Sequence, residues 1–403
     1  MYFTTMTHRD ELFDLALRWL NDDFRADDGA ALSRIFLYES VVSAAVVGEV
    51  FRFLQQLYGS SLRTERVRQK QVLRRRLVDC LPASSERIRQ LILSYEDDPE
   101  YFFPRLPIDG LLVLNGVDRL AAIGRIKRLT RVAEKISFRL VDALFREIKD
   151  EARLQAEQRA ERAGTPLVHL LSTAQEMQDD FTAAEAAVAA RFRRHNVVIE
   201  PDAVTVNDLL GFKIVDEPEQ LARIPEQLAA WPAFSVVEIE HHRGDYNAVN
   251  LLVEVRLPVP IRLLEKTRGF DWTIAGRRGL DPARMQAEFA SYLASGSDSV
   301  RIELILTTYD ELMESEFGRS MHELRILRLR QRQAYCGPIA QNASFLIEYL
   351  LTLALSPTVN IAELPVKMYG RYLPETIAIA KCALCGNRSD DGLLQSFSLV
   401  AGA

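Results

Sequence analysis

Residues 300–322 read VRIELILTTYDELMESEFGRSMH, and this stretch decides how the rest of the chain is interpreted. Two sets of side chains alternate in its first part, Ile302, Leu304 and Leu306 against Glu303, Ile305 and Thr307. This alternation predicts a β-strand that turns Glu303 to one face. Beyond Asp310 the apolar residues recur every three or four positions, which predicts a helix. A single acid in a strand is most often solvated, so the pattern alone makes Glu303 only a candidate functional residue.

The composition is that of a globular protein able to bury a large core. The chain has 403 residues, 48% apolar and 26% charged, which suggests two or three domains or one elaborated domain. Its net charge of −6 argues against a general nucleic-acid coat, although basic residues cluster in residues 63–76 and 319–332. We expect residues 63–81 to form a basic helix whose face is either solvated or a surface for RNA or an acidic partner.

Neither a disulfide framework nor a membrane span is expected. The chain has four cysteines and no N-terminal segment that resembles a signal peptide, so we expect a reducing cytoplasm. The longest apolar run, residues 339–355, contains Glu348 and two side-chain amides, and therefore predicts a buried helix. Cys382 and Cys385 resemble half a zinc knuckle, but the sequence has no second C-x-x-C pair, so we expect two partly buried thiols.

Residues 300–322 resemble the second signature of the RelA/SpoT-type alarmone synthetases. In that family a strand reads E-(I/V)-Q-I-R-T, and the helix after it ends in A-E-x-G-x-x-x-H. The residues that fall in this register are Glu303, Thr308, Glu316, Gly318 and His322. Two polar positions of the strand depart from the pattern, since Ile305 replaces Gln and Thr307 replaces Arg. The resemblance implies that Glu303 binds a metal ion.

The family's first signature, R-x-K followed eight residues later by a Lys at the start of a helix, is similar to residues 124–136. Arg125, Lys127 and Lys135 match it, although the family's Ser before the second Lys is absent. In the family these cations face the ATP triphosphate. The chemistry suits that role because Arg offers a planar fork to phosphate oxygens and Lys a compact point charge. The pattern alone is common in basic helices.

Residues 204–216, VTVNDLLGFKIVD, resemble the family's strand D-L-(I/V)-(G/A)-(I/V)-R-(I/V)-(I/V), with Lys213 in place of the Arg. Asp208 matches the metal-binding Asp; otherwise such an Asp serves in a local turn. Together with Glu303 it implies a Mg²⁺ site, because Mg²⁺ binds one or two carboxylates plus substrate phosphates. The family separates its second Lys from this Asp by a couple of dozen residues at most, whereas 73 positions separate Lys135 from Asp208. We therefore predict an inserted helical hairpin.

Residues 241–250 resemble N-G-Y-x-S-(L/I)-H, the family's loop that presents a Tyr to the guanine of the acceptor. Tyr246 matches, and Arg243 in the same loop is a further candidate. Asp245, Ala248 and Asn250 stand in place of the family's Gly, Ser and His. A Tyr between a loop and a strand is otherwise half-buried packing. The negative charge of Asp245 is expected to disfavour a free guanosine di- or triphosphate.

The resemblance implies an α/β (α+β) fold of the nucleotidyltransferase type, a mixed sheet of about five strands flanked by helices. We expect the synthetase-like domain at residues 111–335, with a helical insertion at about 139–200. A second, basic insertion at about 258–299 is either a lid or an acceptor surface. Further helices are expected at residues 1–110 and 336–403. No His in the chain is directly followed by an Asp, so the metal site of the family's hydrolase half is not expected.

By resemblance, the expected activity is that of a pyrophosphokinase, which transfers pyrophosphate from ATP to the 3′-hydroxyl of GDP or GTP to make (p)ppGpp, the alarmone of the stringent response. The resemblance also implies that Asp208 and Glu303 hold Mg²⁺. The expected nucleotide-binding residues are Arg125, Lys127, Lys135, Lys213, Arg243, Tyr246, Glu316 and His322. A tRNA 3′ end is an alternative acceptor, a homo-oligomer stays open, and no membrane is involved. The alternative function is a catalytically degenerate relative that binds nucleotides or a partner, which Asn250, Ile305 and Thr307 favour and the two carboxylates disfavour.

Overall fold

A mixed β-sheet runs through the centre of the protein, whose computed structural model describes residues 1–80, 85–244, 246–331, 335–385, 394 and 397. The strands are β1 (Tyr2–Phe3), β2 (Arg63–Gln69), β3 (Pro107–Leu114), β4 (Leu120–Ile126), β5 (Thr205–Val206), β6 (Leu210–Val215), β7 (Phe234–His242), β8 (Ala248–Arg256) and β9 (Ser299–Thr307). The helices are α1 (Arg9–Leu20), α2 (Asp28–Tyr58), α3 (Lys70–Asp79), α4 (Glu86–Asp97), α5 (Leu129–Arg162), α6 (Ala174–Arg193), α7 (Pro218–Leu221), α8 (Ile224–Ala229), α9 (Pro260–Lys266), α10 (Pro282–Ser295), α11 (Tyr309–Phe317), α12 (His322–Arg330), α13 (Pro338–Leu353) and α14 (Pro374–Cys385).

The main sheet has seven strands in the order β2-β3-β4-β6-β9-β8-β7, where about five were expected. Among the described strands of this sheet only β6 and β9 pair in parallel, and every other neighbouring pair is antiparallel. After β6 the chain therefore forms β7 and β8 at one end of the sheet, and then returns to form β9 between β6 and β8. A separate two-stranded sheet joins β1 to β5. The mixed α/β class is as expected, and the sheet is larger.

The expectation of a helix over residues 63–81 was wrong in its first half. Residues 63–69 form the edge strand β2, which pairs with β3 from Arg63 opposite Leu114 to Val67 opposite Gly110. Val67 is 1% exposed because it joins a core formed with α3, α4 and α11. Pairing with β3 and burial of Val67 outweigh the helix propensity of the surrounding Arg and Gln residues. The helix α3 begins only at Lys70.

The two faces of the sheet have different chemistry. On β9, Ile302 and Leu304 are fully buried in the main core, which includes residues of α5 and α13. Glu303 and Ile305 point to the opposite face and are half-buried. Strand register places one row of residues across that face, Arg125, Gly211, Glu303 and Leu252. The candidate residues of three motifs are thus brought onto one side of the sheet.

The inserted hairpin is formed by α5 and α6. Arg191 on α6 contacts Glu147 on α5 at 2.8 Å, and Asp180 contacts Arg159 at 2.5 Å, so α6 packs back along α5. The second helix of the hairpin begins at Ala174, because Thr173 and the third helical residue form a capping box there.

The basic insertion at about residues 258–299 packs against α2. Trp272 and Phe289 contact Tyr38 through their rings, and the Tyr38 hydroxyl donates to Met285 O at 2.8 Å. This anchored packing does not support the lid interpretation.

By length and composition α2 could cross a membrane, but 72% of its most apolar window is buried within the protein, as in a core helix. The expectation that residues 339–355 form a buried helix is confirmed by α13.

Candidate active site

Lys127, Lys135 and Asp208 meet where β4 ends and β6 begins. Lys127 directly follows β4, and its backbone N–H donates to Leu209 O at 2.9 Å, which extends the pairing of β4 with β6. Lys135 lies in the second turn of α5. The Nζ atoms of both lysines lie 2.6 Å from Asp208 Oδ2, and Lys127 Nζ also donates to Asp208 O at 3.0 Å. Two motifs that the hairpin separates in the sequence are thus joined at one carboxylate oxygen, Asp208 Oδ2.

The two ammonium groups keep Asp208 ionised. Burial opposes ionisation, but the charges of Lys127 and Lys135 outweigh it and hold the pKa of Asp208 well below its ordinary value. The pKa of Lys135 is lowered, because burial of its ammonium group outweighs the attraction of Asp208. Asp208 Oδ2 accepts from both lysines, whereas Oδ1 is buried and has no hydrogen-bond partner in the described part of the chain. That free acceptor is available to a cation.

Glu303 reaches the same cleft from β9. It lies opposite Gly211 on β6, and its Oε2 is within van der Waals distance of where a Cβ at that position would stand. Burial, and then the charge of Asp208, raise the pKa of Glu303.

The two carboxylates fit Mg²⁺. The buried Asp208 Oδ1 lacks a partner, and Mg²⁺ binds hard oxygen ligands from one or two carboxylates together with phosphates or water. Within the described ranges no group of three or more His, Cys, Asp or Glu side chains could hold a metal ion. Substrate oxygens and water would therefore complete the coordination.

The cleft has a volume of about 200 Å³. The residues that line it are Lys135, Arg139, Asn207, Asp208, Glu238, Glu240, Asn250, Leu251, Leu252 and Glu303. Glu238 and Glu240 were missed by sequence reasoning. Nothing in the β7 sequence indicates which of its faces lies on the side of the sheet that carries Glu303. Asn250, which replaces the family's His, has a buried Oδ1 without a partner among the described residues.

A second group of candidate residues surrounds Tyr246. The Arg325 guanidinium lies 4.5 Å from the centroid of the Tyr246 ring, and its Nη2 lies 3.5 Å from His322 Nδ1. On another side the His242 ring lies 5.6 Å from that of Tyr246, centroid to centroid. The loop is tied to α11, since Asn247 Nδ2 donates to Glu311 at 2.9 Å. Arg325 was missed by sequence reasoning, because it stands beyond the last residue of the second signature.

Lys213 and His322 lie close to several basic side chains. Burial, and then the charge of Arg125, lower the pKa of Lys213 to about 7. Burial also lowers the pKa of His322 well below its ordinary value, and Lys70 and Arg125 add to the effect. No carboxylate of the described chain pairs with Lys213. Arg125 and Lys70, the cations that lower both pKa values, create a positive potential here that favours an anion.

Glu316 lies in a buried ionic network within the protein. Arg125 Nη2 contacts its Oε1 at 2.8 Å, and Lys70 Nζ lies 2.5 Å from its Oε2. Arg74 donates to the backbone oxygen of Glu316 at 3.0 Å and pairs with Glu323 at 3.3 Å. Lys70, Arg74 and Glu316 are almost fully buried. The contacts of Glu316 thus stabilise the fold and hold Arg125, and they leave the carboxylate no free oxygen for a nucleotide.

The remaining candidates lie outside these clusters. Arg243 is exposed, and Asp245 lies outside the described residues. Cys382 is exposed where a partly buried thiol was expected, because α14 buries Ile377 and Leu384 and turns Cys382 to solvent. The side chain of Cys385 lies outside the described part.

Comparison with known proteins gives a partial structural likeness. No protein-family model matches the chain, and no curated protein matches it. The crystal structure of small alarmone synthetase 1 from Bacillus subtilis is 14% identical over 42% of this chain and 69% of its own, with a TM-score of 0.21. The structure of this synthetase bound to its product pppGpp is 14% identical over 42% of this chain and 68% of its own, with a TM-score of 0.19.

Proposed function

We propose that the chain is an ATP-dependent pyrophosphokinase that transfers pyrophosphate from ATP to the 3′-hydroxyl of GDP or GTP. The observation that carries the proposal is the cleft in which Asp208, contacted by Lys127 and Lys135, lies beside Glu303. These four residues come from the three motifs that resemble RelA/SpoT-type signatures. Their convergence, despite the long insertion between them, supports one shared site.

The chemistry needs positioning and charge neutralisation. The acceptor 3′-oxygen attacks the β-phosphorus of ATP, the bond from that phosphorus to the α,β-bridging oxygen breaks, and AMP leaves. Mg²⁺, when bound, neutralises charge on the phosphates. Lys127 and Lys135 supply further positive charge to the transferred group. Glu303 suits the acceptance of the 3′-hydroxyl proton, because burial and Asp208 raise its pKa.

The surroundings of Tyr246 support a nucleotide acceptor. The ring offers a stacking surface for a base, with Arg325 beside it. Lys213 lies among several cations and has no carboxylate partner in the described chain, which suits the phosphates of GDP or GTP. A tRNA 3′ end, which carries a single backbone phosphate next to its terminal nucleoside, is the second acceptor to test.

A nucleotide-binding protein without transfer activity is the second candidate function. One observation favours it, since each of the three candidate ATP-binding cations is paired with a carboxylate of the chain itself. Asp208 binds Lys127 and Lys135, and Glu316 binds Arg125. A site that no longer turns over ATP would keep such internal pairs.

Incubation of the purified protein with Mg²⁺, [γ-³²P]ATP and GDP, GTP or tRNA in separate reactions distinguishes these functions. We expect label in one acceptor with an equal amount of AMP, since release of ADP would indicate phosphate transfer instead. Glu303→Gln and Asp208→Asn should abolish transfer. Binding of MgATP without label in any acceptor would favour the second candidate, and absence of nucleotide binding would overturn both.

A further inference from the structure

A short segment of the chain, residues 2–5, passes close to both candidate metal ligands, and we call it the strap. Its first two residues form β1, with Tyr2 opposite Thr205 and Phe3 opposite Val206 on β5. Thr4 is 4% and Thr5 0% exposed. The strap is therefore part of the protein interior.

The strap binds the chain immediately before Asp208. The Thr4 backbone N–H donates to Val206 O at 3.2 Å, and the Thr4 hydroxyl donates to Asn207 Oδ1 at 3.0 Å. Asn207 directly precedes Asp208 and lines the same cleft. Thr4 thus holds the residue next to Asp208, so a shift of Thr4 would reach Asp208 through a single peptide unit.

The strap also binds the strand that carries Glu303. The Arg301 backbone N–H donates to Thr4 O at 2.8 Å, and the Thr5 hydroxyl donates to Arg301 O at 2.9 Å. Arg301 stands two residues before Glu303 on β9, so both side chains lie on the same face of the sheet. Both backbone polar groups of Arg301 are therefore held by the strap.

Sheet pairing alone does not fix Asp208 relative to Glu303. The ladder between β6 and β9 begins only where Gly211 lies opposite Glu303, and Asp208 precedes β6. The strap bridges β9 and the chain before Asp208 at this point, with Thr4 bonded to Asn207 on one side and to Arg301 on the other.

We propose that Thr4 and Thr5 are positioning residues that set the separation of the Asp208 and Glu303 carboxylates for one divalent cation, an inference that rests on the proposed function. Neither threonine hydroxyl bonds to either carboxylate, so both act through Asn207 and Arg301. Substitution of residues that hold metal ligands in place commonly changes the metal affinity. The expected signature is a weaker cation site in a protein that is still folded.

Mn²⁺ binding measures the site without turnover. The electron paramagnetic resonance signal of free Mn²⁺ is titrated with the protein in the absence of nucleotide, because a nucleotide would itself bind Mn²⁺. Thr4→Val and Thr5→Val keep the side-chain shape and remove the hydroxyl. We expect each to weaken Mn²⁺ binding about three- to tenfold, the size of one lost hydrogen bond. Thr4→Ser, which keeps the hydroxyl, should bind like the wild type.

Thr7→Val is the matched control, because Thr7 is 6% exposed and its hydroxyl donates to Glu39 at 2.6 Å, away from both acids. It should lower Tm and leave Mn²⁺ affinity unchanged. Equal weakening in Thr7→Val and Thr4→Val, or unchanged affinity in the Thr4→Val/Thr5→Val double variant, would overturn the proposal. If Asp208→Asn binds Mn²⁺ as well as the wild type, the proposed function itself fails. Loss of binding in Asp208→Asn with full binding in the threonine variants overturns only the role of the strap.

Discussion

Lys135 Nζ and Asp208 Oδ2 lie 2.6 Å apart, although 73 positions separate the two residues in the chain. The contact joins the second turn of α5 to the entrance of β6, and the entire inserted hairpin lies between them in sequence. Asp208 also contacts Lys127, so it keeps one ammonium partner when Lys135 is removed. Removal of Lys135 therefore tests the ATP assignment most directly.

Lys135→Ala is expected to weaken MgATP binding about 10- to 100-fold with the fold intact. One charge-assisted hydrogen bond to a phosphate contributes about 1.5–3 kcal/mol. Titration calorimetry with α,β-methylene-ATP measures the effect. Lys149→Ala, at an exposed site on the same helix, is the control and should change nothing. Equal affinities in the wild type and Lys135→Ala would mean that Lys135 does not face ATP.

Tyr246→Ala should lower kcat/KM for the acceptor about 5- to 150-fold, while Tyr246→Phe keeps most of the activity. The ring face and not the hydroxyl is expected to contact the acceptor base, and a stacked base contributes about 1–3 kcal/mol. The readout is acceptor KM and kcat at saturating ATP, with donor binding measured separately as the control. Full activity in Tyr246→Ala would remove the stacking role.

Binding of an anionic acceptor above pH 7 should be accompanied by proton uptake. Burial and Arg125 lower the pKa of Lys213 to about 7, so at pH 8 its amine is mostly neutral before the acceptor binds. A phosphate nearby favours the charged form and raises this pKa, so binding takes up close to one proton and weakens as pH rises.

Calorimetry with GDP in buffers of different ionisation enthalpy counts these protons. Lys213→Arg is the control, because its guanidinium stays charged at every pH tested and should take up none. The same uptake in Lys213→Arg would assign the proton to another group.

Glu316→Gln should lower the free energy of unfolding by about 3–5 kcal/mol, because Lys70 and Arg74 would stay buried without their counter-charge. Urea unfolding at pH 7 measures the loss. The control is Glu288→Gln, which removes the surface partner of Arg284 and should cost less than about 1 kcal/mol. A similar small change in both variants would show that the buried network contributes little.

The pH dependence of this contribution follows from the sign of the shift. Burial opposes ionisation of Glu316, but Lys70 and Arg125 outweigh it and hold its pKa well below the ordinary value. The stabilisation is therefore fully present above the ordinary carboxyl pKa and is lost as pH falls towards the lowered one.

Local patterns predicted the elements that carry the candidate site. In β9 the alternation is regular because one face is buried, so Glu303 could be assigned to the other face. The same reasoning failed for β2, where the sequence RTERVRQ suits a helix and only the non-local edge of β3 makes it a strand. Lys70 likewise belonged to a predicted basic helix, but its partners Glu316 and Glu323 stand far along the chain on α11 and α12.

The contacts between elements were beyond the sequence. No motif contains Arg325, Glu240 or Thr4, and each joins the candidate site only because the topology brings α12, β7 and the strap to it. Residue type could be assigned from pattern and resemblance, whereas the partners of each charge depend on three-dimensional packing. Glu316 illustrates the difference, since its register suggested a ligand contact and its surroundings are the chain's own cations.

The hairpin of α5 and α6 leaves the site after Lys135, and the chain returns to the same site at Asp208. The entropy of closing such a loop grows only with the logarithm of its length, about 0.6 kcal/mol for each doubling. Natural variation can therefore lengthen or shorten the outer part of the hairpin, between Ile148 on α5 and Ala184 on α6, while the core residues and the two ends that meet at Asp208 stay where they are. The chemistry and the hairpin can consequently evolve at different rates within a single polypeptide.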